Sequence, residues 1–328
     1  MRPGRPEEGE IGPLLGRYLH GLEGAKIRDG RTMVPMAEAP ALIVVNEAAG
    51  GAHSQRTRRS VELARSALAA DVHASEWRDP GVFQAWLRER IDGYATLIVA
   101  GGDGSLGMAY TVAAERGGPT LGYIPAGVGN ATAHTLRLPR DPAALAAVLA
   151  GGEARPVDLV AVNGRLALFA GAGLDARVVQ RYTPAGSRRM AGWAWAVARS
   201  LPDLWRRPSV EVRADGWVVH RGPMEMLVVS TTPFYGRGLN INPGARPDAG
   251  RLTLRVYPGP APIVAVEAVR WAAHRRPRAE ALLASTVEVR STDGTPLPVQ
   301  AGGDLVGERE EWRFEVRPAA VRLIGRWS

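Results

Sequence analysis

Residues 97–130 read LIVAGGDGSLGMAYTVAAERGGPTLGYIPAGVGN, and the fold turns on how they are read. Leu97, Ile98, Val99 and Ala100 form an apolar run that stops at Gly101-Gly102-Asp103-Gly104-Ser105. That pattern predicts a strand running into a glycine turn. A helical stretch follows, then a second short strand over Leu121–Ile124, then Pro125 and another glycine loop, Gly127-Val128-Gly129-Asn130. Glycine lets the backbone approach an oxyanion closely, and the N–H groups at a helix start point at it. One such loop reads as a tight strand-to-helix turn. Two in register, the first holding an acid, read as a place for phosphates. Neither loop is followed by a lysine, which excludes the lysine-bearing P-loop.

Upstream, Ala41–Val45 is a buried-type strand that ends at Asn46 and Gly50-Gly51. Arg56–Ala70 has helical spacing, Val72–Ser75 suits a strand, and Val82–Ile91 is helical again. Strands alternating with helices predict a parallel sheet covered by helices, with ligands at the carboxyl ends of its strands. Downstream, Asp141–Leu149 predicts a short helix with Asp141 as N-cap and Pro142 in first position.

From Arg155 the apolar period changes to two. Val157–Val162, the turn Asn163-Gly164 and Arg165–Ala170 give a strand–turn–strand signal. Further strands are expected at Ser209–Arg213, Val218–Arg221, Met226–Thr231, Arg251–Tyr257, Thr286–Arg290, Val299–Ala301, Trp312–Arg317 and Val321–Ile324. This half predicts an antiparallel sandwich or barrel. A helical insert, Met190–Trp205, carries Trp193, Trp195 and Trp205 beside several arginines. It reads either as a helix packed on the sandwich or as an aromatic lip at an apolar channel or membrane surface. The expected organisation is an extension over 1–39, an α/β nucleotide-binding domain over 40–156 and a β-sandwich substrate domain over 157–328, with the site in the cleft between them.

At 328 residues the chain is long enough for two cores. It has no cysteine, which excludes disulfides, thiolate catalysis and cysteine-held metals. No apolar run reaches the roughly 18–20 residues that span a bilayer. The first residues, MRPGRPEEGEIGPLLG, lack the apolar core of a signal peptide. Lys26 is the only lysine, so the net charge of +8 rests on arginine. That charge is read mainly as a solvated arginine-rich surface, with no nucleic-acid partner expected.

The motifs resemble the diacylglycerol kinase catalytic-domain family, which includes bacterial lipid kinases, sphingosine kinases and ceramide kinases. Gly101-Gly102-Asp103-Gly104-Ser105 resembles the family's GGDGT signature, and Pro125–Asn130 its second glycine loop. Asn46 with Gly50 resembles an earlier loop. Val157-Asp158-Leu159, Phe169–Ala176, Tyr235–Gly238 and Pro243–Gly250 resemble motifs of the second domain, and Gln300-Ala301-Gly302-Gly303-Asp304 a late one. The resemblance runs in order from about Ala41 to the C-terminus. It implies ATP-dependent transfer of a γ-phosphoryl group to the hydroxyl of a diacylglycerol-like or sphingoid-like lipid alcohol, with ATP and Mg²⁺ as cofactors. It implies that Gly101, Gly102, Gly104 and Ser105 bind phosphates, and that Asn46, Gly127, Gly129 and Asn130 line the nucleotide site. Asp103 would act through Mg²⁺ or as base, Asp304 as general base, and Asp248 in a structural Mg²⁺ site. The expected partners are the lipid alcohol and a membrane surface, for a cytoplasmic protein bound peripherally, with room for a homodimer.

The chain departs from the family pattern at several places. Gly302 and Met108 stand where acids are usual, Val128 replaces a hydroxyl residue, Glu47 a proline and Ala249 an acid. Three readings therefore stay open: an active lipid kinase, a catalytically weak nucleotide- or lipid-binding protein on the same fold, and a kinase for a non-lipid alcohol.

Overall fold

The computed structural model describes residues 40–182 and 207–327. The N-terminal extension and the tryptophan-bearing insert lie outside the described residues. The chain begins with β1 (Ala41–Asn46), α1 (Gln55–Leu68), β2 (Asp71–Ser75), α2 (Pro80–Arg88), β3 (Thr96–Gly101), α3 (Asp103–Arg116) and β4 (Thr120–Pro125). These strands pair in parallel in the order β2-β1-β3-β4, as alternation of strand and helix requires. Local chemistry starts several of the helices. The Ser54 hydroxyl accepts the Thr57 N–H at α1, and Asp79 accepts from Gly81 and Val82 at α2. α4 (Ala131–Thr135) and α5 (Pro142–Gly151) follow, and Asp141 caps α5 through Ala144 N–H at 2.8 Å, with Pro142 at its first position.

The chain then turns antiparallel, through β5 (Glu153–Val162), β6 (Arg165–Ala167), β7 (Phe169–Gly173), α6 (Leu174–Tyr182), β8 (Ser209–Ala214), β9 (Trp217–Pro223) and β10 (Met226–Ser230). A short hairpin, β11 (Phe234–Tyr235) and β12 (Leu239–Asn240), precedes β13 (Leu252–Tyr257), α7 (Ala261–Ala272), β14 (Leu282–Ala284) and β15 (Thr286–Ser291). The last strands are β16 (Leu297–Ala301), β17 (Asp304–Arg309) and β18 (Glu311–Gly325). A six-stranded sheet, β14-β13-β10-β7-β16-β17, faces the antiparallel part of the first sheet. Val160, Val212, Leu227, Val229, Leu254, Val289, Val299 and Phe314 fill the space between them, each fully buried. The expected combination of a parallel-sheet domain and an antiparallel sandwich is what the structure shows.

Two expectations change. Trp312–Arg317 and Val321–Ile324 are one strand, β18, whose register with β5 shifts between Arg317 and Val321. Pro318 interrupts the apolar alternation there, and a bulge absorbs it. Past the bulge, β18 lies beside β4, with Leu323 paired to Leu121. The sheet therefore runs without a break from β2 through β4 and β18 to β15, β8 and β9. The expected boundary at residue 156 falls inside β5. Helices α6 and α7 were also not expected. α6 follows β7 directly at Gly173, whose φ is 93°, and α7 is rich in β-branched residues with low helix propensity.

Candidate active site

The carboxyl ends of β1, β3 and β4 meet at the two glycine loops. Asn46, ending β1, is 3% exposed, and its side chain is used on both sides. Its amide donates to the Trp77 carbonyl and to the Ser105 hydroxyl, each at 2.9 Å, and its oxygen accepts from Ala48 and Trp77 N–H at 3.1 Å. Asn130 is likewise committed. Its oxygen accepts from the Tyr123 hydroxyl at 2.8 Å and Gly127 N–H at 2.9 Å, and its amide donates to the Gly127 carbonyl at 2.8 Å. Both asparagines shape the loops with their polar atoms. The asparagine at 130 suits its φ of 53°, a left-handed conformation that this residue type tolerates.

The glycines divide into two kinds. At 127 a Cβ would lie 2.6 Å from the Gly102 Cα, and at 101 it would lie 2.6 Å from the Ser105 Cβ, so packing alone demands glycine there. Gly102 has φ −93°, and a Cβ would meet only the Gly127 Cα at 3.5 Å. At Gly129 a Cβ would approach nothing nearer than the Asp103 Oδ2 at 3.4 Å. The fold would accept a side chain at both places. The bare backbone at 102 and 129 leaves room for a ligand at the start of α3, where no side chain caps the helix.

Asp103, in the first turn of α3, reaches across to the second loop. Its Oδ2 accepts from Ala131 N–H at 2.9 Å and its Oδ1 from Thr132 N–H at 3.0 Å. It therefore caps α4 from another helix. Burial pushes its carboxyl above the usual carboxylate range, while the Thr132 and Ala131 amides pull the other way.

The second sheet brings a different acid. The turn from β16 to β17 lies on the first turn of α3. A Cβ at Gly302 would be 3.7 Å from the Asp103 carbonyl oxygen, and one at Gly104 would collide with the Asp304 carboxylate. Asp304 thus sits over the first glycine loop, against Gly104. A crevice continues from Asp304 along α3, lined by Gly107, Met108, Thr111, Arg165 and Leu166.

Behind that turn lies a polar cluster to which the sequence reading gave no role. The Tyr235 hydroxyl donates to Asp175 Oδ2, and the Gln300 amide donates to the same oxygen at 3.1 Å and to the Tyr235 hydroxyl. The Gln300 oxygen accepts from Gly303 N–H at 2.8 Å, one residue before Asp304. Asp175 Oδ1 is buried and has no hydrogen-bond partner among the described residues. Burial drives the Asp175 carboxyl above its ordinary range and the Tyr235 phenol well above its own. Gly171 makes room, because a Cβ there would strike the Asp175 carboxylate. The signal in the sequence is an acid two places after four small residues, Ala170-Gly171-Ala172-Gly173, with Leu174 between.

Asp248 is not part of this constellation. It is exposed and paired to Arg246 at 3.1 Å, which holds its carboxyl below the usual range. The described residues contain no group of three His, Asp or Glu side chains able to hold a metal. In this structure the carboxylate of Asp248, expected to hold a structural Mg²⁺, is engaged by Arg246. The loop is held instead by buried Asp158. Its carboxylate accepts from Gly250 N–H at 2.5 Å and from Ala319 N–H, at the β18 bulge, at 2.8 Å.

Two glycine loops on a parallel sheet, faced by an acid from an antiparallel sandwich, define a two-domain kinase fold. Residues 40–162 match the diacylglycerol kinase catalytic domain, and residues 169–325 match the YegS C-terminal NAD kinase beta sandwich-like domain. The chain belongs to the diacylglycerol kinase catalytic-domain family. A probable lipid kinase YegS-like protein of Pseudomonas aeruginosa is 29% identical over 285 residues, covering 80% of this chain and 89% of the relative. A diacylglycerol kinase of Staphylococcus saprophyticus is 27% identical over 218 residues, covering 65% of this chain and 71% of that one. A crystal structure of a diacylglycerol kinase from Bacillus anthracis aligns with TM-score 0.64 at 18% identity, over 88% of this chain and 97% of the other, and shares the fold.

Proposed function

We propose that the protein transfers the γ-phosphoryl group of ATP to the hydroxyl of a lipid alcohol. The observation that carries this reading is the placement of Asp304 against Gly104. It puts a carboxylate from the sandwich beside the loop whose bare backbone at Gly102 and Gly129 suits a triphosphate. In the proposed reaction Asp304 accepts the proton of the lipid hydroxyl as that oxygen bonds to phosphorus. The bond from phosphorus to the β,γ-bridging oxygen breaks, and ADP leaves. Asp103 holds the two loops together through Ala131 and Thr132, which fixes the phosphate position. Mg²⁺ belongs here to the nucleotide. It would be held mostly by phosphates and water, as that ion prefers, and it neutralises charge on the transferring group.

The test is incubation with γ-labelled ATP, Mg²⁺ and a panel of lipid alcohols. Label in the organic phase supports the proposal. Asp304→Asn should lose at least about a hundredfold in turnover, the usual scale for a general base, with ATP affinity unchanged. Normal turnover in that variant would remove Asp304 from the chemistry. A second reading, nucleotide binding with weak or no transfer, draws support from the commitment of Asp103 to backbone amides and from Met108 in the crevice. ATP binding with no transfer to any alcohol would establish it.

A further inference from the structure

Helix α7 buries one apolar face and leaves another in the open. Its inner side carries Val264 and Trp271, each 4% exposed, with Trp271 edge-on to Tyr257 at 5.4 Å. Its outer side carries Ile263, Val266 and Val269, which are 52%, 51% and 70% exposed. These three follow one another at intervals of three residues and form a single stripe. A helix at a water-facing surface normally puts polar residues there. β-branched side chains are also poor helix formers, so neither packing nor propensity accounts for the stripe.

The helix ends in a fixed basic turn. Arg275 N–H donates to the Arg270 carbonyl at 2.8 Å, and the Arg270 guanidinium donates to the Arg276 carbonyl at 2.7 Å. Arg278 N–H donates to the carboxylate of Glu267, which is 2% exposed, at 2.9 Å. Arg275 and Arg276 are exposed and make no ion pair among the described residues. This turn also lies toward the site. The His274 ring is 6.5 Å from Phe234, which is 5.8 Å from His134 on α4. In the same hairpin, Gly236 faces Gly129 of the second glycine loop.

We propose that the outer face of α7, with Arg275 and Arg276, is the surface by which the protein docks on an anionic lipid bilayer. The stripe alone would suit any apolar partner, and the two arginines select among them. A bilayer offers hydrocarbon to Ile263, Val266 and Val269 and anionic headgroups to a basic turn at the helix end. Docked this way, the second glycine loop lies close to the lipid surface. The purpose of such docking rests on the lipid-alcohol reading above, although the binding itself does not.

The test is co-sedimentation of the full chain with vesicles of phosphatidylcholine, with and without phosphatidylglycerol. Binding should require phosphatidylglycerol and weaken as salt rises. Val266→Glu, and separately the pair Arg275→Glu and Arg276→Glu, should each lower the bound fraction constant by about tenfold or more. Val266→Leu should bind as the unaltered chain does. All variants should keep their ATP affinity and melting temperature. Failure of the unaltered chain to bind anionic vesicles at low salt would overturn the proposal, as would full binding by the charge variants. So would a Val266→Glu variant that melts several degrees lower or converts a dimer to a monomer, because the stripe would then be covered by this chain or by a second copy. Failure of the kinase reading looks different: vesicle binding persists while no lipid accepts label.

Discussion

Asp304 and Gly104 form a contact that two substitutions can dissect. Gly104→Ala places a methyl group where the Asp304 carboxylate lies, so it should lower turnover nearly as far as Asp304→Asn does. In an Asp304→Ala background the same change meets no carboxylate and should cost little more. The two effects should therefore be strongly non-additive in kcat, as expected for groups in contact. Simple additivity would mean that the carboxylate is held elsewhere in solution. Asp175 allows a second test at this scale. Its carboxyl is raised by burial, so the folded protein binds a proton that the unfolded chain has already released. Stability attached to this group is therefore greatest in acid and falls as pH rises through the raised value. Asp175→Asn removes that titration. Its melting temperature relative to the unaltered protein should rise between about pH 4, near the unfolded carboxylate value, and pH 7. A difference that stays constant over that range would place the Asp175 charge in solvent.

The elements show which parts of the molecule were legible from the sequence and which were not. β3, β4 and the two glycine loops were readable, because apolar runs ending in glycine admit few other backbones. The cap at Asp141 was readable because its chemistry is local. α4 was not readable as a separate element, since its five residues have little amphipathic pattern and its cap comes from Asp103, 28 residues upstream. The same limit hid the role of Asp175, whose partners Tyr235 and Gln300 lie 60 and 125 residues away. The pairing of Asp248 with Arg246, only two residues away, is by contrast a local contact. Helix α4 carries its own prediction. Asp103→Asn keeps one acceptor oxygen for two amides, so one N–H of α4 loses its partner. Stability should fall by about 1 kcal/mol, the usual value of a cap, and ATP affinity should fall with it as the second loop loosens. Amide exchange at Ala131 and Thr132 would report this directly. Unchanged protection there would mean that the cap does not form.

Across the whole molecule, β18 joins what the sequence divides. It pairs with β5 over nearly its full length, with β15 before the bulge and with β4 beyond it. The nucleotide-binding half and the sandwich thus share one sheet. Thermal unfolding should then be a single transition, with calorimetric and van't Hoff enthalpies in agreement. Two resolved transitions would show that the halves melt independently. Removing residues 318–328 should destabilise the glycine loops as well as the sandwich, because β4 would lose its neighbour. The same strand bears on how the chain is made. Of all the described strands, β18 is the last to leave the ribosome, and its partners β4 and β5 are complete at Pro125 and Val162, long before Val321 emerges. Throughout that interval β4 presents an open backbone edge, the kind that recruits other nascent chains. Synthesis that stalls before Val321 would release a molecule that already carries both glycine loops yet has no partner for that edge. Such a fragment is a natural substrate for chaperones and a seed for aggregation.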